Sequence, residues 1–284
     1  MILVTGANGL LANEIKKLSG GLNITFVAKD EFDITSKTDI EKYLENNKEI
    51  NAIINCAAGA DAEYMEVNPD WGYEITVKGP AYLAEASKKY KLKLIHISTD
   101  YVFDGMKNTP YTENDSTNGL SHYGRLKALG EEEVLRRAET CAIIRTAWLF
   151  SEQKRDFIGA MERIASEKGQ VNVVIDQVGS PTYAPDLAKV LLKVAEELRI
   201  GEKEIFHFSN DGVCSWYDIA CFIMKGLELK CKVEPILSHE FKTKAKRPHY
   251  SVLSKKKIKN RFKLEIRHYG DALTECLENI KSQG

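Results

Sequence analysis

Residues 2–12 read Ile-Leu-Val-Thr-Gly-Ala-Asn-Gly-Leu-Leu-Ala, and this segment decides the fold class. The apolar run Ile2–Thr5 predicts a buried strand, and Gly6, Gly9 and Ala12 then follow the spacing Gly-x-x-Gly-x-x-Gly/Ala. Small residues at this spacing let the chain turn sharply into a helix whose first N–H groups face a pyrophosphate. A tight turn alone also needs glycine, so its position between a strand and a helix is what favours a dinucleotide site.

The same strand-and-helix pattern repeats through the first half of the chain. Strands are predicted at Ile24–Ala28, Ala52–Cys56, Leu92–Ser98 and Ala142–Thr146, and helices up to about Leu18 and over Ile40–Asn46, Trp71–Lys89 and Ser121–Arg137. Continuous apolar strands that alternate with helices indicate a parallel sheet covered on both faces. We therefore predict an α/β fold with a doubly wound, Rossmann-like parallel sheet.

The second half is less regular. Helices are predicted over 156–167, 187–198, 216–225 and 272–281, and strands at 171–174 and 205–208. We expect a dinucleotide-binding domain over residues 1–150. Residues 151–284 would form mainly a smaller α/β substrate-binding domain, with segments that return to the first domain.

Composition and charge exclude several classes of protein. The 284 residues carry 40 basic and 41 acidic side chains, so nothing favours nucleic acid or an anionic membrane as a partner. No apolar run approaches the roughly 18 residues of a membrane span, and no secretory leader is visible. The six cysteines are scattered as in reduced cytosolic proteins, and the histidines show no metal-ligand spacing. We expect a cytoplasmic protein without a metal site.

Tyr123 is the one tyrosine of twelve with a lysine, Lys127, four positions later. Residues at i and i+4 share a helix face, so a phenol and an ammonium would lie side by side. Lowering the pKa of tyrosine from about 10 by roughly 3 units takes about 4 kcal/mol. One cation about 5 Å away supplies roughly 3 kcal/mol at an effective dielectric constant of about 20. The pair therefore suits acid–base catalysis, although a solvated lysine beside a half-buried tyrosine has the same spacing.

The end of the second strand bears on the choice of cofactor. An NAD site usually has an acidic residue there, whereas a cation favours NADP. The chain has Ala28 followed by Lys29, which favours NADPH, with NADH as the alternative if Asp30 occupies the acidic position. Asp33 and Ile34 are predicted to lie beside the adenine, although Asp33 could equally cap a turn.

The fourth strand ends in polar residues, at the edge of the sheet where ligands bind in this fold. Thr99 could there donate a hydrogen bond to a substrate carbonyl, or it could belong to a simple turn. The segment Ser-Thr-Asp-Tyr-Val-Phe-Asp-Gly spans residues 98–105, and Asp-Gln-Val-Gly-Ser-Pro-Thr spans residues 176–182. With Tyr123 and Lys127, these strings make the chain resemble the extended short-chain dehydrogenases/reductases, and among them the dTDP-4-dehydrorhamnose reductases. The similarity spans nearly the whole chain.

The resemblance implies a role for each matching residue. Thr99 would bind the keto oxygen, Tyr123 would donate the proton, and Lys127 would hold the nicotinamide ribose and lower the pKa of Tyr123. Asp100, Tyr101 and Trp148 would border the sugar, and Arg247 would meet the diphosphate of the substrate. Trp148 could instead be a core residue, and Arg247 a surface ion-pair partner. The predicted cofactor-binding residues are Gly6, Asn8, Gly9, Leu10, Leu11, Lys29, Asp33, Ile34, Ala57, Ala58, Tyr123 and Lys127.

The chain departs from the family pattern after the third strand. Residues 59–66 lack the usual Thr-x-Val-Asp-x-Ala-Glu segment apart from Glu66, and Thr76 replaces an expected Asn. We predict NADPH-dependent reduction of a nucleotide-linked 4-keto-6-deoxy sugar, first of all dTDP-4-dehydro-L-rhamnose to dTDP-L-rhamnose for polysaccharide synthesis. The alternatives are a reductase or epimerase of another nucleotide sugar, and a non-catalytic NADP-binding regulatory subunit. A homodimer is compatible with the sequence.

Overall fold

The computed structural model describes residues 1–283, and a parallel sheet of six strands lies at its centre. The strands are β1 (Ile2–Thr5), β2 (Ile24–Val27), β3 (Ala52–Asn55), β4 (Lys93–Thr99), β5 (Cys141–Thr146), β6 (Leu149–Phe150), β7 (Gln170–Val174), β8 (Val178–Gly179), β9 (Thr182–Tyr183), β10 (Lys203–His207), β11 (Cys214–Ser215) and β12 (Lys232–Ile236). The order in the central sheet is β2-β1-β3-β4-β5-β10, all parallel. The order reverses between β1 and β3, which is where doubly wound sheets bind ligands.

Helices cover both faces of this sheet. They are α1 (Leu10–Lys17), α2 (Lys37–Asn46), α3 (Ala62–Val67), α4 (Pro69–Tyr73), α5 (Gly79–Lys89), α6 (His122–Arg137), α7 (Phe157–Glu167), α8 (Ala184–Glu197), α9 (Trp216–Gly226), α10 (Lys256–Phe262) and α11 (Tyr269–Gln283). Successive strand residues point to opposite faces, so each strand contributes to two cores. Val4 packs with α1 and α8, whereas Leu3 packs with α2 and α5. The predicted fold class is confirmed.

A third core holds the second half together. Met161 of α7, Ile223 of α9 and Leu277 of α11 are buried in one cluster with Val171 of β7. The short parallel pair β7–β12 forms one side of this unit. In contrast, β10 pairs with β5 of the central sheet, so residues beyond 150 contribute to both parts. The predicted domain boundary near residue 150 stays a prediction.

The one long helix predicted over 71–89 is divided in the structure. A π-helical segment, Glu74–Lys78, separates α4 from α5. Pro80 has no backbone N–H, so regular helical hydrogen bonding cannot run unbroken through it. The elements α3, β12 and α10 also lie outside the predicted helices and strands, because their apolar patterns are short. None of the helices within residues 1–283 is both long and apolar enough to cross a membrane.

Candidate active site

A cavity of about 600 Å³ opens at the carboxyl ends of the central strands. It lies between the turn after β1, the end of β4, the first turn of α6 and residues of the second half. The predicted site residues that line it are Gly9, Leu10, Leu11, Ala58, Thr99, Asp100, Tyr101, Tyr123, Lys127, Trp148 and Arg247. The structure therefore brings all of the predicted catalytic and substrate-binding residues to one cavity, together with part of the predicted cofactor set.

Residues 6–9, the glycine turn between β1 and α1, shape the end of the cavity where the cofactor is expected to bind. Gly6 has a φ of +71°, and a Cβ there would lie 2.8 Å from the backbone nitrogen of Ala57. Glycine at this position thus lets the turn after β1 pass close to the backbone that follows β3. Gly9 precedes α1 and has no side chain to cap it, so the first N–H groups of the helix have no side-chain partner. Free N–H groups at a helix start are the ligands that a pyrophosphate requires.

The end of β4 places Thr99 and Asp100 in the cavity. The Thr99 hydroxyl donates to Asp100 Oδ1 (3.1 Å) and accepts from the Tyr101 amide (3.2 Å). Burial raises the pKa of Asp100 to about 6, although hydrogen bonds from neighbouring groups oppose the rise. Asp100 Oδ2 has no hydrogen-bond partner anywhere in residues 1–283. A buried, unpaired carboxylate oxygen is costly unless a ligand or water satisfies it.

The start of α6 carries Tyr123 and Lys127. Ser121 caps the helix by accepting from the Gly124 amide (3.1 Å), and the His122 amide donates to Glu66 (2.6 Å). A side chain on Gly124 would collide with the carbonyl of Tyr101, so glycine allows α6 to lie against the turn after β4. The Tyr123 and Tyr101 rings consequently pack edge to face, with centroids 5.5 Å apart.

The pKa of Tyr123 differs from the sequence-based expectation. Burial of the phenol raises its pKa to about 12, the Thr99 side chain opposes that rise, and the charge of Asp100 adds to it. Lys127 is not among the groups that shift this pKa, so the expected lowering is absent. Its Nζ instead donates to the carbonyl of Ile97 (2.9 Å), and burial lowers its own pKa to about 8 against the charge of Glu131. Desolvation outweighs the cation because both groups are buried.

A buried chain of hydrogen bonds runs from the Ala57 amide through Thr5 and Asn55 to His96 on β4. The Ala57 amide donates to Thr5 Oγ1 (3.3 Å), which in turn lies 2.6 Å from Asn55 Oδ1. The Asn55 amide then meets His96 Nδ1 at 3.0 Å. Asn55 Oδ1 can only accept, so the Thr5 hydroxyl donates to it, and Asn55 Nδ2 can only donate, so His96 Nδ1 is the acceptor. Burial and the charge of Lys127 lower the pKa of His96, which keeps it neutral.

The predicted adenine-side residues lie outside the cavity. The Asp33 carboxylate accepts from the amide (2.9 Å) and the hydroxyl (2.7 Å) of Thr35, so it caps a turn. Lys29 is exposed and lies 3.7 Å from Asp33. Ile34 is buried in the core beside Gly79. Gly6, Asn8 and Ala57 likewise do not line the cavity, and the contact of these six residues with a cofactor stays a prediction.

Aromatic and charged residues form the opposite side of the cavity. Trp148 has a φ of +47° and stacks on Trp216, with ring centroids 4.0 Å apart. A Cβ at Gly179 would lie 2.7 Å from the Trp148 indole, so glycine makes room for the ring. Arg247 forms an ion pair with Glu63 (2.8 Å), which agrees with the alternative prediction of an ion-pair partner. It also lines the cavity.

Sequence reasoning missed several lining residues. They are Cys56, Ala60, Asp61, Ala62, Glu63, Ile97, Ser98, Thr146, Ala147, Leu149, Phe150, Arg155, Asp156, Phe157, Ile158, Pro181, Trp216, Ile219 and Leu273. Most belong to the second half or to α3, and no local pattern marks them. Within the described residues, no group of three or more His, Cys, Asp or Glu side chains is arranged to hold a metal ion.

Comparison with known proteins agrees with this geometry. The family model described as the RmlD substrate binding domain matches residues 1–282. A dTDP-4-dehydrorhamnose reductase from Aggregatibacter actinomycetemcomitans is 36% identical over 284 residues, 96% of each chain. The chain belongs to the dTDP-4-dehydrorhamnose reductase family. The resemblance inferred from its sequence is thereby confirmed.

Two solved structures of dTDP-4-dehydrorhamnose reductase family members share the whole architecture. The protein from Clostridium acetobutylicum is 37% identical and superimposes with a TM-score of 0.91, covering 99% of both chains. The protein from Bacillus anthracis, solved in complex with NADP, is 30% identical with a TM-score of 0.92, covering 100% of this chain and 99% of its own. The doubly wound fold is thus that of its relatives.

Proposed function

We propose that this protein reduces the C4 carbonyl of a nucleotide-linked 4-keto-6-deoxy sugar with NADPH, and that dTDP-4-dehydro-L-rhamnose is its substrate. The observation that carries the proposal is the meeting of Thr99, Tyr123 and Lys127 in one cavity with the uncapped start of α1. A binding protein without activity needs no such combination of hydroxyl, phenol and ammonium. Membership of the reductase family supports the same reaction.

The residues present fit a dinucleotide. The free N–H groups at the start of α1 suit its pyrophosphate, and Lys127 lies where a ribose hydroxyl can take a hydrogen bond. When bound, NADPH supplies the hydride. Lys29 is exposed beyond β2 and suits the 2′-phosphate, and a relative binds NADP. These points favour NADPH over NADH.

Tyr123 is the proton donor in this proposal. A phenol whose pKa is about 12 stays protonated throughout the physiological pH range, so Tyr123 always has a proton to donate. An alkoxide is a stronger base than a phenolate, and the proton therefore moves downhill to the new hydroxyl oxygen. A lowered pKa is thus unnecessary in the direction of reduction.

Thr99 and Lys127 prepare the site for that transfer. The Thr99 hydroxyl can turn from Asp100 to donate to the same oxygen, which stabilises the developing charge. Lys127 remains mostly protonated below about pH 8, since burial lowers its pKa only to that value. Its charge then favours the growth of negative charge on the substrate oxygen.

The opposite side of the cavity would select the nucleotide sugar. The Trp148–Trp216 stack offers an apolar surface to a 6-deoxy sugar, and Arg247 offers a guanidinium to its diphosphate. For the phosphate contact, Arg247 would exchange Glu63 for the ligand. We therefore retain both residues as substrate-binding residues, with Asp100 and Tyr101.

One observation favours a second substrate within the same class. The divergent residues 59–66 include the turn before α3 and all but the last residue of that helix, and Ala60, Asp61, Ala62 and Glu63 line the cavity. A changed lining alters which sugar fits. A relative from Streptomyces niveus, 33% identical over 279 residues, is named dTDP-4-keto-6-deoxy-D-glucose reductase. Reduction of such a diastereomer is the second candidate function.

The compartment and assembly belong to the proposal as well. All six cysteines are free thiols, which suits the reducing cytoplasm. A homodimer stays a prediction, which sedimentation of the purified protein would test.

The decisive experiment is oxidation of NADPH by the purified protein with dTDP-4-dehydro-L-rhamnose, with NADH and the 4-keto-6-deoxy-D-glucose nucleotide in parallel. We expect one NADPH consumed per dTDP-L-rhamnose formed, and slower turnover with NADH. Tight NADPH binding without turnover of either sugar would instead identify a regulatory subunit. Faster turnover of the glucose derivative would establish the second candidate.

A further inference from the structure

The loop Ser151–Asp156, which follows β6, packs against the first turn of α1. Gln153 Nε2 donates to the carbonyl of Leu10 (3.0 Å) and to Glu14 Oε1 (2.7 Å). Gln153 Oε1 accepts from Asn13 Nδ2 (3.3 Å). Both hydrogens and the oxygen of one side-chain amide thus join this loop to a helix that lies more than 130 residues earlier in the sequence.

Asp156 fixes the loop from its other end. Its carboxylate accepts from the amides of Ser151 (2.7 Å) and Ile158 (2.8 Å), so it closes the loop and caps α7 at once. The Gln153 amide also donates to Ser151 Oγ (3.2 Å). The two residues between Gln153 and Asp156 are therefore held in a defined position over the start of α1.

These two residues are neighbouring cations with different surroundings. Lys154 forms an ion pair with Glu162 (2.9 Å) on α7. Arg155 lines the cavity together with Gly9, and its Nη1 lies 3.4 Å from the carbonyl of Asn8. In the part of the chain that the structure describes, no carboxylate lies within 4.0 Å of the Arg155 guanidinium. Arg155 is thus a cation beside the glycine turn, with one weak neutral acceptor.

We propose that Arg155 binds the pyrophosphate of the dinucleotide, opposite the N–H groups of α1. This inference rests on the proposed function and assigns a further cofactor residue to the same site. A guanidinium can donate two parallel hydrogen bonds to phosphate oxygens, and the helix start supplies others from the opposite side. Because the loop comes from beyond β6, residues on both sides of position 150 would hold the cofactor.

The position of Arg155 suits the pyrophosphate of the cofactor and not the other two phosphate groups that the site would bind. The 2′-phosphate of NADPH is assigned to Lys29, which follows β2 and does not line the cavity. The diphosphate of the nucleotide sugar is assigned to Arg247, which pairs with Glu63 at the start of α3. Arg155 alone of these cations contacts the glycine turn. A pyrophosphate contact therefore predicts equal effects on NADPH and NADH.

The test is direct titration of NADPH and NADH into the purified protein, read by fluorescence, with no turnover required. Arg155→Ala should raise the dissociation constants of both cofactors about tenfold, the loss of a hydrogen-bonded charge. Arg155→Lys should recover part of this loss. Lys154→Ala, the matched control in the same loop, should change neither constant by more than about twofold. Lys29→Ala should weaken NADPH about fivefold and leave NADH unchanged.

Each result separates the inference from the proposed function. If the unaltered protein binds NADPH and reduces the sugar, and Arg155→Ala binds both cofactors equally well, the inference alone is wrong. Weaker binding of NADPH but not NADH would reassign Arg155 to the 2′-phosphate and overturn it. A raised KM for the nucleotide sugar, with unchanged cofactor binding, would reassign it to the substrate. Absence of any NADPH binding by the unaltered protein would refute both.

Discussion

The two sides of the cavity differ in how firmly their residues are held. Thr99, Asp100 and Lys127, at the end of β4 and on α6, are 6%, 1% and 3% exposed. On the opposite side, the side chain of Arg247 is 23% exposed and Trp148 is half-buried. Catalysis requires fixed polar groups in a site with little water, because such groups stabilise the charge of the transition state without having to reorient. Recognition of a variable sugar tolerates, and uses, a more open surface.

This contrast predicts a division of kinetic effects. Changes on the β4–α6 side should lower kcat, since those groups act on the developing oxygen charge. Changes on the Trp148 side should raise the KM for the nucleotide sugar, since those groups bind ground state and transition state alike.

Tyr123→Phe should lower kcat by about a thousandfold, because the alkoxide loses its proton donor. Titration should show NADPH binding within about twofold of the unaltered protein. Tyr73→Phe is the control, since Tyr73 lies on α4 and does not line the cavity. Substantial turnover by Tyr123→Phe would mean that another group or water donates the proton.

Lys127→Met should lower kcat about a hundredfold without a matching loss of stability. The pKa of Lys127 falls from 10.5 to about 8 on burial, which corresponds to about 3 kcal/mol of destabilisation of its charged form. Methionine removes that cost but also removes the hydrogen bond to the Ile97 carbonyl, worth about 1.5–3 kcal/mol. The free energy of unfolding, measured by urea denaturation at pH 7, should therefore change by less than about 2 kcal/mol. A loss of 4 kcal/mol or more would indicate a mainly structural lysine.

Turnover should fall as pH rises above about 8. Burial lowers the pKa of Lys127 from its ordinary value of 10.5 to about 8, so the side chain loses its proton and its charge as the pH rises through 8. Each further pH unit should then reduce kcat up to tenfold. Lys127→Arg stays charged and should remove this decline, whatever its absolute rate. A decline that survives in Lys127→Arg would assign the titration to another group.

Trp148→Ala should raise the KM for the nucleotide sugar about tenfold and change kcat less than threefold, because it removes the stack with Trp216 to which we assign sugar binding. Cofactor affinity should be unchanged. Trp71→Ala, which removes an exposed tryptophan outside the cavity, controls for general loss of aromatic packing. A fall in kcat as large as that of Lys127→Met would break the proposed division between the two sides.

The central sheet, and the meeting of Thr99, Tyr123 and Lys127 at its edge, were predictable from sequence because local signals encode both. Buried strands read as apolar runs, and the Ile2–Thr5 strand was predicted to the residue. Tyr123 and Lys127 share a face by helical geometry alone. Thr99 could be predicted as a site residue because it ends a central strand, and ligands bind at the carboxyl ends of the strands in this fold.

The rest depends on contacts between distant segments. Trp216 reaches Trp148, and Arg155 reaches Asn8, only through packing that no local pattern records. The pKa of Tyr123 was predicted in the wrong direction because the spacing to Lys127 is local, whereas burial is a property of the whole fold. The π-helical segment before Pro80 was missed for a different reason: Pro80 is a local signal for it, but the apolar helical spacing of residues 81–86 was extended back across it.

The position of β10 has a consequence for biosynthesis. A nascent chain that has emerged only to residue 150 lacks the strand that pairs with β5 and the helix α8 that covers β3 and β4. Roughly 60 further residues take about 3–12 s to synthesise. During that interval the open edge of β5 offers unpaired N–H and C=O groups to other chains. The nascent protein should therefore engage ribosome-associated chaperones at this length, and its halves should not be exchangeable as independent modules.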